Sequence, residues 1–267
     1  MSEAAAPNAT HDTHPLDTVV WNALTSRQRR FALGDERALR FPAAIAPFAA
    51  VADDAPASFE ALRTLMDAQG PVALVTPREM APPAGFAVMR RATLLQMIWQ
   101  DESVPTVATE HIRLTDADVP EMLALVAAAQ PGPFGARTIE LGDYFGVRRQ
   151  GKLAAMAGER MRLDGLTEIS AVCVDAAFRG QGLAADLMKR LIVTIRARGE
   201  TPFLHVLASN HAAIALYRTL GFVDRRAMHL AVFDSAKGQA TRKSSEESAS
   251  IVLNASANGE GGVMSHG

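Results

Sequence analysis

The feature that most constrains this chain is a buried strand that runs into a basic, glycine-rich turn and then into a helix. The strand ends at residues 172–174, the turn is Arg179-Gly180-Gln181-Gly182, and leucine or isoleucine then recurs every four residues. The first N–H groups of a helix lack internal partners and lie at the positive end of its dipole. Glycines there remove the Cβ atoms that would keep a phosphate away from these amides. The pattern therefore predicts either an anion-binding helix start or simply a tight strand–helix turn.

The phosphate fingerprints of nucleotide-binding domains are not met by this turn. A dinucleotide-binding G-x-G-x-x-G sequence would require glycine in place of Ala185, and no G-K-[ST] sequence occurs in the chain. These mismatches disfavour a nucleotide-binding domain.

Composition excludes further classes of protein. The net charge of −2 gives no overall attraction for nucleic acid or an anionic membrane. No apolar run is long enough for a transmembrane helix, and the N-terminus has acids and prolines where a signal peptide would be basic and then apolar. The single cysteine, Cys173, cannot form an internal disulfide, which favours a cytoplasmic protein. The seven histidines do not have metal-ligand spacings, so no metal is expected.

The chain divides into four segments. Residues 1–14 predict a disordered leader, and residues 235–267, rich in Ser, Ala, Gly and charge, predict a flexible tail. Residues 15–108 predict an N-terminal α/β domain of unknown role. Within it, residues 59–66 have helical spacing, residues 72–75 form a buried strand, and residues 86–99 fit either element.

Residues 109–234 have sharper periodicity and predict a second domain. The predicted strands are 112–114, 144–149, 152–161, 166–174, 203–207 and 225–233. Helices are predicted around 118–126, at 182–198 and at 210–221. Asp164-Gly165 predicts a hairpin turn, and Gly199 predicts the end of a helix.

Two motifs in this second segment resemble those of the GNAT superfamily of acyl-CoA N-acyltransferases. The glycine turn is similar to the family's pyrophosphate loop, R/Q-x-x-G-x-G/A, in the form Arg179-Gly180-Gln181-Gly182-Leu183-Ala184. Downstream, Asn210 begins a helix that ends Leu-Tyr-x-x-Leu-Gly-Phe at Phe222, which resembles the second signature. The resemblance covers about residues 111–233. The first half is similar to the degenerate N-terminal half of acyltransferases of the glycine N-acyltransferase type.

This resemblance implies an α+β (α/β) fold with a mixed, mostly antiparallel sheet flanked by helices, and acetyl-CoA as co-substrate. The loop Arg179, Gly180, Gln181, Gly182, Leu183 and Ala184 would bind the pyrophosphate. Backbone groups of Val172, Cys173 and Val174 would pair with the pantetheine arm where this strand separates from its neighbour, and one N–H there can polarise the thioester carbonyl. Asn210 would bind the pantetheine arm, in addition to the helix-capping role that is common for asparagine.

The resemblance also implies catalytic residues. Tyr217 occupies the family's position for the acid that protonates the CoA thiolate, although a core aromatic is the alternative. Glu168 and His205 are the candidate bases, at positions where histone-type members and ribosomal-protein N-terminal acetyltransferases respectively have a glutamate. Glu159 is a weaker third candidate. The alternatives for these residues are an ion-paired strand glutamate and a packed strand histidine, and Cys173 is expected to be an inert buried thiol.

The expected function is therefore an N-acetyltransferase that moves an acetyl group from acetyl-CoA to a primary amine, by direct attack in a ternary complex. The acceptor is a small-molecule or peptide amine, and neither nucleic acid nor membrane is an expected partner. The alternative function is a non-catalytic acyl-CoA-binding module for regulation or interaction. Tyr217 and the two candidate bases favour the enzyme.

Overall fold

The computed structural model describes residues 14–101, 103, 105–107 and 110–235. The predicted leader before His14 and the predicted tail after Ser235 lie outside these residues. His14 and Ser235 themselves belong to the folded part of the chain. His14 Nδ1 accepts a hydrogen bond from the Leu16 N–H at 3.1 Å, and Ser235 pairs with Phe86 at the end of a strand. No helix in the described part is long and apolar enough to cross a membrane.

Five α-helices and eleven strands make up the described residues. The helices are α1 (Val19–Thr25), α2 (Pro56–Gln69), α3 (Val119–Ala129), α4 (Leu183–Ala197) and α5 (His211–Thr219). The strands of the first half are β1 (Leu33–Gly34), β2 (Ala38–Arg40), β3 (Ala49–Val51), β4 (Val72–Thr76) and β5 (Phe86–Trp99). Those of the second half are β6 (Ile112–Arg113), β7 (Tyr144–Arg149), β8 (Lys152–Leu163), β9 (Leu166–Val174), β10 (Thr201–Leu207) and β11 (Phe222–Ser235).

Eight strands form one mixed, mostly antiparallel sheet in the order β4-β11-β5-β10-β9-β8-β7-β6, and β1, β2 and β3 form a small separate sheet. The α+β fold predicted from the sequence is therefore confirmed. Strands β4 and β5 of the first half lie next to β11 and β10 of the second half. The domain division predicted at residue 109 thus does not fall at an edge of this sheet, and it stays a prediction.

The local signals agree with the observed elements. Gly165 forms the two-residue turn between β8 and β9, and Gly199, with φ of +74°, follows α4. Residues 86–99, whose periodicity fitted two elements, form a 14-residue strand in the middle of the sheet. Alternating side chains place α4 on one face of β8 with Ala155 and Ala157, and α3 on the other face with Met156.

Candidate active site

The site is built around two parallel strands that separate. β9 and β10 pair at only three positions, from Leu166–Thr201 to Glu168–Phe203. Beyond Glu168, β9 continues to Val174 and β10 to Leu207 without pairing to each other. In these parts of β9 and β10, the backbone N–H and C=O groups on the facing sides therefore form no hydrogen bonds between the two strands. Such groups require other partners, and an extended ligand with amide groups can supply them.

A bulge in β9 reinforces this separation. Gly158 of β8 pairs with Ser170 and Met156 pairs with Cys173, so Ala171 and Val172 together oppose the single residue Ala157. Ala171 has φ of +53°, in the left-handed region that a residue with a Cβ rarely adopts. A bulge bends its strand and redirects the backbone groups beside it. It does so here one residue before the positions predicted to face the pantetheine arm.

The glycine turn lies between β9 and α4. Asp175 Oδ1 accepts a hydrogen bond from the Ala177 N–H at 2.8 Å and so fixes the first bend after β9. Gly180 and Gly182 have φ of +77° and +76°, and an added Cβ would meet no atom at either one. Backbone conformation, rather than crowding, therefore favours glycine at these positions. Gly182 is also the N-cap of α4, so the first helical amides face the turn without a capping side chain.

A groove of about 490 Å³ joins these features. It is lined by Val172, Cys173 and Val174 from β9, by Phe178, Arg179, Gly180 and Gly182 from the turn, by Leu183, Ala184 and Ala185 from α4, and by Ala212, Ala213 and Leu216 from α5. Of the predicted loop residues, only Gln181 is not part of the lining. Ala129, at the end of α3, also lines the groove, which therefore reaches the opposite side of the sheet from α4.

The Arg179 side chain is exposed and forms no ion pair with another described residue, so its charge is available to a ligand. Cys173 is buried, and burial raises the pKa of its thiol to about 12. A thiol that keeps its proton is a poor nucleophile, which agrees with the inert role expected from the sequence.

Helix α5 forms the other wall of the groove. Asn210 caps it, because its Oδ1 accepts a hydrogen bond from the Ala213 N–H at 3.2 Å. Tyr217 packs edge-on against Phe222 with 6.2 Å between ring centroids. Tyr217 follows Leu216 in α5 but is not itself part of the groove lining. Its hydroxyl has no hydrogen-bond partner among the described residues, and burial raises the pKa of Tyr217 to about 12.

The two candidate bases contact each other. The His205 Nδ1 lies 2.7 Å from Glu168 Oε1, and both side chains are almost fully buried, at 3% and 0% exposure. Arg160 Nε donates to the other oxygen of Glu168 at 2.8 Å. Burial alone would raise the pKa of Glu168, but the charge of Arg160 and the hydrogen bonds from Arg160 and His205 hold it to about 2. Glu168 is therefore a carboxylate held ionised by its partners.

Hydrogen bonds of Gln96 indicate which nitrogen of the His205 ring carries the proton. Arg225 donates to Gln96 Oε1, so the Gln96 amide nitrogen faces the His205 Nε2 at 2.9 Å and donates to it. Nε2 is thus an acceptor, and the ring proton is on Nδ1, directed at Glu168. Arg160, Glu168, His205, Gln96 and Arg225 form one hydrogen-bonded row across five adjacent strands, β8, β9, β10, β5 and β11.

Glu159, the third candidate, is not part of this row. Its carboxylate pairs with Arg198, just after α4, at 2.7 Å, and burial raises the pKa of Glu159. It forms no hydrogen bond with Glu168 or His205. Among the described residues, no three His, Cys, Asp or Glu side chains are grouped so that they could hold a metal ion.

Sequence reasoning missed Gln96, Arg160 and Arg225, which set the states of Glu168 and His205. Their roles depend on which strands lie side by side, and no local motif specifies that. Alternation in β8 could have placed Arg160 on the face opposite Ala157. The neighbours contributed by β5 and β11 come from distant parts of the chain and have no comparable signal.

Two parallel strands that separate beside a glycine turn and a helix start are the arrangement that the GNAT resemblance implies for an acyl-CoA-dependent acyltransferase. Comparison with known proteins agrees with this class. The FR47-like protein family model matches residues 144–230. A protein of known structure from Novosphingobium aromaticivorans, assigned to the GNAT acetyltransferase family, is 44% identical. The match covers 84% of this chain and all of that one, with a TM-score of 0.78. The chain belongs to the GNAT family of acetyltransferases.

Curated relatives match less than half of the chain. The [ribosomal protein bS18]-alanine N-acetyltransferase of Escherichia coli K12 is 35% identical over 115 residues, which are 41% of this chain and 77% of that protein. The N-alpha-acetyltransferase RimI of Mycobacterium tuberculosis is 36% identical over 122 residues, or 41% of this chain and 75% of that protein. The chain is thus an acyltransferase enzyme, and the resemblance stated from the two motifs is confirmed.

Proposed function

We propose that the chain transfers an acetyl group from acetyl-CoA to a primary amine by direct attack in a ternary complex. The observation that carries this proposal is the continuous groove along the separated end of β9, from the glycine turn to the end of α3. A thioester lying in it is accessible to an amine from the α3 side of the sheet. The donor and acceptor can therefore bind at the same time, without an acyl-enzyme intermediate.

The chain's residues fit this donor in three places. The amides at the start of α4, with Arg179, would bind the pyrophosphate. The backbone of Val172, Cys173 and Val174 would pair with the pantetheine amides, and a freed N–H there would stabilise the oxyanion. Asn210 would contact the pantetheine arm beside its capping bond. Tyr217, whose phenol keeps its proton at neutral pH, would protonate the departing thiolate.

For the base, the hydrogen bonds separate the two candidates. A carboxylate with a pKa of about 2 is too weak a base to take a proton from an ammonium group near neutrality. We therefore propose that Glu168 orients the His205 ring and stabilises its protonated form. His205 is the proposed base, and it becomes one only when Gln96 releases Nε2 to the amine or to an intervening water.

The relatives' names suggest the acceptor to test first. One relative is named an alanine N-acetyltransferase of ribosomal protein bS18, and the other is named an N-alpha-acetyltransferase. We therefore propose a peptide α-amine as the first acceptor to test. The experiment incubates the chain with acetyl-CoA and a short peptide that begins with alanine, and follows free thiol together with peptide mass. The same peptide with a blocked N-terminus is the control. Thiol release with a mass gain of one acetyl group, for the free peptide only, supports the proposal. If no peptide or small amine gains mass, the amine-transfer proposal is wrong.

A further inference from the structure

A second cavity, of about 1210 Å³ and open to solvent on one side, lies in the first half of the chain, away from the acyl-CoA groove. It is lined by β3 and the turn after it, by the start of α2, by β4 and the loop after it, by α1 and the residues just before it, and by single residues of β5 and β11. No residue of the glycine turn, α4 or α5 contributes to it. It is therefore a separate cavity from the acyl-CoA groove.

The architecture of this cavity repeats that of the catalytic groove. β3, α2 and β4 follow one another as β9, α4 and β10 do. Phe48, the residue before β3, forms an isolated parallel bridge with Ala73 of β4, although β3 and β4 belong to different sheets, and the residues after this bridge on both strands line the cavity. The cavity thus lies between two separating parallel strands, at the start of the connecting helix. The groove of the second half likewise lies beside the separated end of β9 and at the start of α4.

The chemistry at the start of the helix is reversed. Where α4 has a basic glycine turn, α2 is preceded by Asp53 and Asp54 and begins at Pro56, which has no N–H. Asp53 Oδ1 accepts hydrogen bonds from the Ser58 hydroxyl at 2.6 Å and the Ala55 N–H at 3.1 Å. These bonds lower the pKa of Asp53, so it is ionised at neutral pH. A phosphate here would meet carboxylates and occupied donors instead of free amides.

The remaining charges leave the cavity negative. Five carboxylates and two guanidinium groups line it. Three of the carboxylates pair with arginines, namely Asp17, Glu60 and Glu79. Asp53 and Asp54 have no cationic partner among the described residues. Of the two guanidinium groups in the lining, only that of Arg78 forms no ion pair with another described residue. The lining therefore contains two carboxylates and one guanidinium group without ion pairs, and this net negative charge favours a positively charged ligand.

The rest of the cavity lining is largely apolar. Trp21, Phe59 and Phe86 supply aromatic rings, and Met80, Pro82 and Pro83 supply further apolar surface from the loop after β4. Aromatic faces attract organic cations, and apolar walls bind the hydrocarbon part of such a ligand. We propose that this cavity is a second binding site, for an organic cation with an apolar body, and that it does not bind acyl-CoA. This inference goes beyond the transfer reaction and does not depend on it.

The test uses calorimetry on the full chain with N,N-dimethylphenethylamine, a cationic tertiary amine that cannot become a stable amide. The neutral probe is 2-phenylethanol, which has the same aromatic body. We expect one amine to bind per chain and the alcohol to bind up to about fivefold more weakly, as expected for one exposed ion pair. Asp54→Asn should weaken amine binding by a similar factor. Glu36→Gln, the same charge change at an exposed site that does not line the cavity, should leave it unchanged.

Four results would overturn the proposal. They are no amine binding at about 10 mM, equal binding of the alcohol, equal binding by Asp54→Asn, and a second CoA per chain whose binding survives Gly182→Asp. Acetyl transfer and binding of the first CoA are measured separately with the same protein. Failure of the second site is therefore distinguishable from failure of the proposed function.

Discussion

The two tyrosines of the chain carry the same chemical group in different surroundings. Tyr144 is buried to 1% exposure, and its hydroxyl has no partner among the described residues. Its ring fills the space above Gly158, where an added Cβ would come within 2.1 Å of it. Tyr217 packs at the end of α5 against Phe222, beside the acyl-CoA groove. The position in the motif, rather than the residue type, is what distinguishes the proposed acid from a core aromatic.

Replacing Tyr217 by phenylalanine tests the acid role. The ring and its packing remain, but the proton for the CoA thiolate is lost. General acids contribute about 10²–10⁴-fold, and we expect a fall in kcat near the lower end because a thiolate leaves readily. The affinity for CoA, measured by calorimetry, should not change. Tyr144→Phe is the matched control, and its kcat should equal that of the wild type. If Tyr217→Phe keeps full kcat, the proton comes from solvent and Tyr217 is only a core aromatic.

Glu168 gives a prediction about stability and pH. Its folded pKa of about 2 lies below the ordinary value of 4.5, so the unfolded chain binds the proton first as the pH falls. The stabilisation is complete above about pH 4.5 and is lost as the pH approaches 2. Glu168→Gln leaves Arg160 buried without a counter-ion, so we expect a loss of about 3 kcal/mol in the free energy of unfolding at pH 7.

Urea titrations of wild type and variant from pH 7 to pH 3 measure this effect. The difference between them should shrink below about pH 4.5. Glu140→Gln is the control, because Glu140 forms a more exposed pair with Arg137, and exposed pairs contribute little to stability. A constant difference at all pH values would show that Glu168 stabilises the fold by packing and not by its charge.

At the level of elements, local sequence signals correctly predict turns and helix ends where a single residue determines the backbone conformation. Gly165, Gly199 and Asn210 were correctly placed at a turn, a helix end and a helix start, because their effects depend on neighbours in sequence. Residues 86–99 were ambiguous because their two faces contact different partners, so no single period dominates. The bulge at Ala171 has no sequence signal, since alanine seldom adopts a positive φ. Its conformation is imposed by the pairing of β9 with β8.

The glycine turn provides the prediction at this scale. Gly182→Asp should place a carboxylate against the phosphates and weaken CoA binding by about a hundredfold or more, because like charges in contact cost several kcal/mol. Gly165→Asp is the matched control, since its φ of +72° and open surroundings impose the same backbone cost in a distant hairpin. Calorimetry with CoA compares the two folded variants. Equal affinities would show that the turn does not bind the phosphates.

At the level of the whole molecule, the two halves exchange strands. β11 of the second half pairs with β4, and β5 of the first half pairs with β10, while β5 and β11 pair with each other. β5 and β11 are both 14 residues long, and their pairing with each other joins the two halves in one sheet. Periodicity predicted most of the strands but not this order, because strand order depends on contacts between distant segments. The motif-poor first half is therefore part of the sheet that contains the site, since Gln96 of β5 bonds His205.

This exchange predicts that the second half does not fold alone. A fragment that begins at residue 109 would lack β5, so the edges of β10 and β11 that pair with β5 would be left unpaired. It would also lack Trp99, whose indole N–H donates to the Leu220 carbonyl at the end of α5. We expect it to be insoluble, or to lack a cooperative thermal transition and CoA binding. Co-expression with residues 1–108 should restore all three, and it controls for the cut itself. A soluble fragment that melts cooperatively and binds CoA would contradict this expectation. In that case β11 must fold back onto β10, and the division at residue 109 separates two independent domains.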